Sequence, residues 1–262
     1  MIRDITIGQY YPAKSPIHRM DPRTKLFGTL IFIISVFLFH SVAGYAVATL
    51  FLAGMIIISQ VPVKFIFKGL KAIFMILMIT MVFNILLTPG EVLWKIGIFK
   101  ITREGISMAV RMAIRLVYLV IGSSLMTLTT TPNQLTDGLE KSLRPLNKIH
   151  IPVHEIAMMM SIALRFIPIL LEETDKIMKA QIARGADFES GNLIQKVKNM
   201  VPLLVPLFIS AFRRANDLAM AMEARCYHGG DNRTQMKPLH YTRRDHIAYV
   251  VLFVYRYTNN TT

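Results

Sequence analysis

Four long apolar runs in the first half of the chain constrain its fold more than any other feature of the sequence. They cover residues 26–39, 42–59, 65–87 and 106–128. About 20 apolar residues cross the hydrocarbon core of a bilayer as a helix, so the runs predict four membrane-spanning helices, the first of them short. Of all 262 residues 53% are hydrophobic, which is a high share for a soluble domain. The sequence therefore predicts an all-α membrane protein.

Lysine and arginine cluster beside these runs and predict which side of the membrane each flank faces. The clusters precede the first run and separate the second from the third: Lys14, Arg19, Arg23, Lys25, Lys64, Lys68 and Lys71. Basic residues are enriched in cytoplasmic flanks, so the segment before the first run and the segment between the second and third runs are predicted to be cytoplasmic. The chain is thus predicted to be a multi-pass protein of the cell membrane. This bias explains the net charge of +14 more simply than a nucleic-acid partner does.

The character of the sequence changes after residue 130, where charged residues become dense among apolar ones. The chain is predicted to divide into three parts: 1–130 with the lead-in and four membrane helices, 131–244 with about three long amphipathic helices, and 245–262 with a short or incomplete final membrane helix. The total is about four to five transmembrane helices, because the last apolar stretch, 247–257, is too short to be assigned with the other four.

The three helices of the second part are predicted over residues 131–146, 153–183 and 192–224. The later half of the second helix has an apolar stripe with charged residues elsewhere, which is typical of an amphipathic helix and not of a membrane span. In the third helix, the apolar run 201–212 is too short to span and is predicted to be buried or interfacial.

Two short motifs close the last two of these helices: Ala183-Arg184-Gly185 and Ala224-Arg225-Cys226. On an ordinary interpretation, each arginine offsets the negative end of its helix dipole, and a glycine just past the end is a common helix cap. Two similar motifs at the ends of two long helices of a membrane protein instead favour a shared function beyond capping.

The motifs, their order, and the stretch Ser15-Pro16-Ile17-His18-Arg19-Met20-Asp21-Pro22-Arg23-Thr24-Lys25 carry a resemblance to a known family. The chain resembles the transmembrane coupling subunit, or T-component, of energy-coupling factor transporters. Cys226 stands where that family usually has glycine. The resemblance implies two cytoplasmic ATP-binding-cassette subunits as partners, with Arg184 and Arg225 seated in one ATPase groove each, at the ends of cytoplasmic coupling helices.

The resemblance also implies a membrane subunit that captures a vitamin or similar micronutrient. Methionine side chains adapt to differently shaped partners, and several lie on the predicted coupling helices. Those assigned to the contact with the substrate-binding subunit are Met158, Met159, Met160 and Met178. The alternative is the ordinary use of methionine in apolar helices.

No catalytic motif is present in the sequence. It contains no G-x-x-x-x-G-K-[ST] loop, no H-E-x-x-H metal motif and no G-x-S-x-G elbow. We therefore predict a non-catalytic chain with no metal and no cofactor of its own. The resemblance implies that ATP and Mg²⁺ are bound by the partner ATPases.

Arg111 and Arg115 leave a second class of function open. They lie one turn apart within the fourth apolar run, where charged residues usually face protein or water. They could form the site of a membrane-integral enzyme or an ion-conducting protein, or could snorkel to the membrane surface. Two further alternatives are a structural scaffold without an ATPase partner and the T-component of a dedicated cobalt or nickel importer.

Overall fold

The computed structural model describes residues 10–38, 41–96, 99–188, 192–229, 236 and 238–261. Eight α-helices are seen in this part of the chain: α1 (Pro22–Leu38), α2 (Val42–Ser59), α3 (Val63–Leu87), α4 (Arg103–Thr129), α5 (Pro132–Leu143), α6 (Val153–Ala183), α7 (Leu193–Glu223) and α8 (Arg243–Thr261). A 3₁₀ turn, Arg144–Ile149, follows α5, and the strands β1 (Val92–Ile96) and β2 (Phe99–Thr102) form an antiparallel hairpin. The predicted all-α class is confirmed.

Three helices, α2, α4 and α6, are long and apolar enough to cross a membrane, and α3 is a fourth if its two halves, which meet at a bend of 55°, count as one span. α1 has only 17 residues. α6 meets this criterion through its first half, whereas the amphipathic stripe predicted for this helix lies in its later half. That first half, from Val153 to Leu171, holds only two acidic or basic residues, Glu155 and Arg165.

The described residues fall into two compact units. One comprises residues 10–138 and 239–261, and the other comprises the described residues of 139–238. In the first unit α1 and α2 pack with α8 around a core of Phe32, Val36, Ala48, Leu52 and Tyr255. α8 has 19 residues and is longer than the apolar stretch 247–257 from which a short final helix is predicted.

Close approach of α1 and α4 in this unit depends on a small residue. A Cβ atom placed on Gly122 would lie only 2.9 Å from the ring of Phe32. Helix interfaces in membranes use such small residues because dispersion contacts, rather than the exclusion of water, hold the helices together. A second core, formed by Val61, Ile66, Leu125 and Leu128, joins α3 to α4.

The other unit is dominated by the antiparallel pair α6 and α7. An ion pair joins the helices, with Arg214 Nη2 3.2 Å from Glu173 Oε2. Near the far end of α6, Gln181 Nε2 donates to the carbonyl oxygen of Pro202 at 3.3 Å. Pro202 and Pro206 lie inside α7, and Pro168 lies inside α6. Both helices match their predicted bounds to within one residue at either end.

Candidate functional site

The two arginine motifs form the same backbone turn at the ends of α6 and α7. After α6, the N–H of Gly185 donates to Ile182 at 2.9 Å and the N–H of Ala186 donates to Gln181 at 3.0 Å. This crossed pair of hydrogen bonds is a Schellman motif, which requires a left-handed residue just past the helix end. Gly185 supplies it, with φ of +86°.

The turn after α7 repeats this pattern with a cysteine in place of the glycine. The N–H of Cys226 donates to Glu223 at 2.8 Å, and the N–H of Tyr227 donates to Met222 at 3.1 Å. Cys226 takes φ of +56°, a conformation that costs a residue with a Cβ about 1–2 kcal/mol. The turn is therefore kept despite the substitution.

Each turn places one arginine at the tip of a long helix. Arg184 and Arg225 are both exposed, and so are Ala183 and Ala224 beside them. Within the described part of the chain, neither guanidinium has a side-chain hydrogen bond or ion pair. Two five-donor cations are thus available for carboxylate or carbonyl groups of another molecule. We call Arg184 and Arg225, with their turns, the two tips.

The four methionines assigned to a partner contact do not form a single site. Met159 and Met160 are exposed, whereas Met158 and Met178 are only partly so. Met178 lies 19 residues after Met159, or roughly 28 Å along the helix at 1.5 Å per residue. Exposure favours Met159 and Met160 as contact residues.

An apolar stripe on α7 is more extensive than the methionine set and was not predicted as a site. Its members recur every three or four residues and have between 40% and 86% of their surface exposed: Ile194, Val197, Val201, Leu204, Phe208 and Phe212. The sequence predicts the run 201–212 to be buried or interfacial. In this chain only Leu203 of that run is buried. The helical spacing of the stripe is the signal that could have identified it.

Arg111 and Arg115 have different surroundings and do not converge on one site. Arg111 is exposed and donates to the carbonyl and hydroxyl oxygens of Ser107, one turn earlier on its own helix, both at 3.2 Å. The Arg115 guanidinium lies 5.5 Å from the centre of the Phe37 ring. Arg111 therefore points back along α4 toward the helix start, as a snorkelling side chain does.

The N-terminal signature is held by an acidic residue that sequence reasoning missed. Asp245, near the start of α8, is fully buried. Its carboxylate accepts hydrogen bonds from the backbone N–H groups of Asp21 and Thr242, both at 2.8 Å, and from the Thr242 hydroxyl at 2.7 Å. Burial alone would raise the pKa of Asp245, but these hydrogen bonds outweigh it and lower the pKa below its usual value.

The other residues of the signature are also tied down. Arg23 forms two hydrogen bonds to the Asp21 carboxylate and stacks 4.1 Å from the centre of the Tyr241 ring. Lys25 is only 7% exposed, and its ammonium donates to the carbonyl oxygens of His18 and Thr129. The signature thus joins α1 to the end of α4 and the start of α8.

His18 is held in one neutral form. Its Nε2 lies 2.9 Å from the Tyr11 carbonyl oxygen, which can only accept, and its Nδ1 lies 2.7 Å from the Ser15 hydroxyl. Burial lowers the pKa of His18; the hydrogen bond to Tyr11 acts in the opposite direction, and the charge of Lys25 lowers it further. His18 is therefore a structural residue of the lead-in at neutral pH.

The helices that can cross a membrane, together with the paired α6 and α7, define a polytopic helical membrane protein. The chain matches the cobalt transport protein family CbiQ over residues 13–236. It is 59% identical over 256 residues to the energy-coupling factor transporter transmembrane protein EcfT of Clostridium kluyveri, covering 97% of this chain and 95% of that protein.

Two further relatives carry the same name. The EcfT protein of Ruminiclostridium cellulolyticum is 55% identical over 255 residues, with 97% of this chain and 96% of the relative covered. That of Bacillus subtilis is 50% identical over 255 residues, with the same coverage. The chain belongs to the CbiQ family and, within it, to the energy-coupling factor transporter transmembrane proteins. It is a membrane-resident transporter component, and this membership does not favour an enzyme or ion channel built on Arg111 and Arg115.

Proposed function

We propose that the two tips each dock one ATP-binding-cassette subunit and pass its movement into the membrane. The observation that supports this most directly is the repetition of one turn at two helix ends, each with an exposed arginine whose guanidinium has no partner in the described chain. Helix capping alone does not require the same turn, with the same exposed arginine, at the ends of two different helices. A pair of ATPase subunits offers two similar grooves, and two similar tips match them in number.

In this proposal ATP and Mg²⁺ are bound by the partner ATPases, and this chain supplies no catalytic group. Each arginine donates to carboxylate or carbonyl oxygens in its groove, because a planar guanidinium can make two parallel hydrogen bonds. When the ATPases close on ATP, the tips move with them. The Glu173–Arg214 ion pair links α6 to α7, so a displacement of one helix is resisted by the other.

The substrate-binding membrane subunit is proposed to dock on the exposed apolar surfaces of α6 and α7. The α7 stripe and the exposed Met159 and Met160 support this proposal, because apolar patches of this extent mark interaction surfaces. The substrate, a vitamin or similar micronutrient, would be held by that subunit and not by this chain. The chain is proposed to reside in the cell membrane with residues 131–246 on the cytoplasmic side, since the ATPases that they bind are cytoplasmic.

The test is co-purification of the ATPase subunits with Arg184→Ala, Arg225→Ala and the double variant, together with uptake by membrane vesicles. Losing a charged contact whose partner remains buried costs roughly 2–5 kcal/mol, so each single variant should retain clearly less ATPase and the double variant should retain none. Arg→Lys should rescue in part, because lysine keeps the charge but lacks the planar fork.

Arg213→Ala, on the same helix but away from both tips, serves as the matched control and should retain the ATPases. If the tips are only helix caps, each arginine contributes about 1 kcal/mol or less to its helix and lysine replaces it fully. A double variant that retains both ATPases and transports normally would overturn the proposal.

A further inference from the structure

A cavity of about 290 Å³ lies inside the unit that contains the signature. Its walls come from four helices: Phe32 of α1, Leu52 of α2, Leu125 of α4 and Leu252 of α8. It is nearly twice the size of an engineered apolar cavity of about 150 Å³ that admits benzene, and it is at the lower limit of pockets that hold drug-sized ligands. A single hydrocarbon chain fits this size and lining.

The polar groups in the cavity wall are largely used by the protein itself. The Lys25 ammonium donates to two carbonyl oxygens, the Thr29 hydroxyl donates to the Lys25 carbonyl, and the Thr129 hydroxyl donates to Leu125. A polar solute such as a vitamin would find few hydrogen-bond partners there. The lining therefore favours an apolar occupant over a transported substrate.

The cavity opens where the protein meets lipid. Ile58 of α2 and Val251 of α8 both line it and are about half exposed. In a membrane-resident chain, exposed apolar side chains at a helix surface face acyl chains. A lipid tail can thus enter from the side, between these two residues.

One cation lies at the rim of this opening. Arg244 lines the cavity, is itself exposed, and has no side-chain hydrogen bond or ion pair within the part of the chain that is described. Guanidinium groups bind phosphate by paired hydrogen bonds. Basic pockets between membrane helices bind anionic lipid headgroups.

We infer that this cavity holds one acyl chain of an anionic phospholipid, with the lipid phosphate bound by Arg244. A net anionic headgroup is favoured over a zwitterionic one, because the latter brings its own cation, which competes for the phosphate and is repelled by Arg244. The bound lipid fills the space between α1, α2, α4 and α8. This inference depends on membrane residence and not on docking of ATPases at the tips.

The experiment is native mass spectrometry of the purified full chain in detergent, with dioleoyl phosphatidylglycerol and dioleoyl phosphatidylcholine added in equal amounts. The two lipids share acyl chains and differ in net charge. The wild-type chain should retain one phosphatidylglycerol at least fivefold more often than phosphatidylcholine. Arg244→Gln should reduce this ratio to about one. Arg256→Gln makes the same change of charge on the same helix, away from the cavity, and should leave the ratio unchanged.

Ala248→Phe, which fills the cavity from α8, should reduce retention of both lipids at least fivefold. If this variant is not expressed, Val251→Trp closes the opening from a half-exposed position and should have the same effect. An unchanged lipid ratio in Arg244→Gln, an equal loss in Arg256→Gln, or full retention in the filled or closed variant would each overturn the inference.

Discussion

Gly185 and Cys226 occupy equivalent positions in two copies of one helix-ending turn. Both have positive φ, +86° and +56°, and both donate their N–H three residues back, to Ile182 and Glu223. Only Gly185 takes this conformation without a steric penalty, since Cys226 carries a Cβ. The α7 tip is therefore the more strained of the two, although the turns have the same hydrogen bonds.

Cys226→Gly is predicted to stabilise the end of α7. Glycine adopts the left-handed conformation without the steric cost that Cys226 carries, which stabilises the turn by about 1 kcal/mol. The greater conformational entropy of glycine in the unfolded chain offsets part of this gain. The two backbone donors of this turn are the N–H groups of position 226 and of Tyr227. Their hydrogen–deuterium exchange should be slower by a few-fold in Cys226→Gly than in the wild type.

Gly185→Ala is the matched opposite change at the α6 tip. Nothing lies within 4 Å of a Cβ placed on Gly185, so the cost is conformational alone, and faster exchange is expected at residues 185 and 186. Equal exchange rates for Gly185→Ala and the wild type would contradict the strain argument for both turns.

Asp245→Asn is predicted to destabilise the bundle. Three donors converge on the carboxylate, and asparagine offers one acceptor oxygen and an NH₂ group that would face donors instead. A buried donor left without a partner costs about 1–3 kcal/mol. The melting temperature of the purified chain in detergent should drop by several degrees. Asp217→Asn, outside this cluster, is the control and should leave it unchanged.

The same carboxylate gives a pH dependence with a definite sign. Hydrogen bonds lower the pKa of Asp245 below its unfolded value, near 3.9, despite the opposing effect of burial. The ionised Asp245 carboxylate therefore contributes fully to the free energy of unfolding above about pH 4, and this contribution is lost as the pH falls through the folded-state pKa. Between pH 5 and 8 the difference in melting temperature between wild type and Asp245→Asn should stay constant, and it should shrink only in more acidic buffer. A difference that changes across neutral pH would assign the effect to another group.

The helices were largely predictable from sequence, whereas the contacts that join them were not. Apolar runs and proline or glycine signals place α2, α6 and α7 to within about one residue, because those signals are local. The bond between Asp21 and Asp245 joins residues 224 positions apart, and nothing in either local sequence marks the other as its partner. In α6 the local pattern itself changes along the helix, because an apolar first half is followed by a charged, amphipathic later half.

The candidate site shows the same division. Spacing and capping rules identified both tips, including Arg184 and Arg225. They did not predict that Cys226 would adopt the left-handed conformation, since a cap residue with a Cβ is uncommon there. The α7 stripe was visible as periodicity, but its exposure depends on what packs against α7, which the local sequence does not contain.

The proposed cytoplasmic location of residues 131–246 gives a labelling prediction. Lys196 lies near the start of α7 and is exposed. Lys196→Cys, in a Cys226→Ser background that removes the single native cysteine, should resist an impermeant maleimide added to intact cells and react after the membrane is opened. Fast labelling of intact cells would place α7 on the outer side and remove the basis for docking cytoplasmic ATPases.

The last prediction separates the two proposed partners of the α6–α7 pair. Phe208, in the middle of the α7 stripe, is 62% exposed, so Phe208→Asp should be tolerated by the free chain. In a complex the new carboxylate would be desolvated against an apolar partner, which costs several kcal/mol when no cation is available. The substrate-binding membrane subunit should then dissociate while the ATPases, bound at the tips, remain.

Met159→Asp tests the α6 surface in the same way. Lys198→Asp, on a charged part of α7, is the control and should retain both partners. If Phe208→Asp or Met159→Asp releases the ATPases and keeps the membrane subunit, the apolar surfaces of α6 and α7 bind the ATPases, and the assignment of partners to surfaces is reversed.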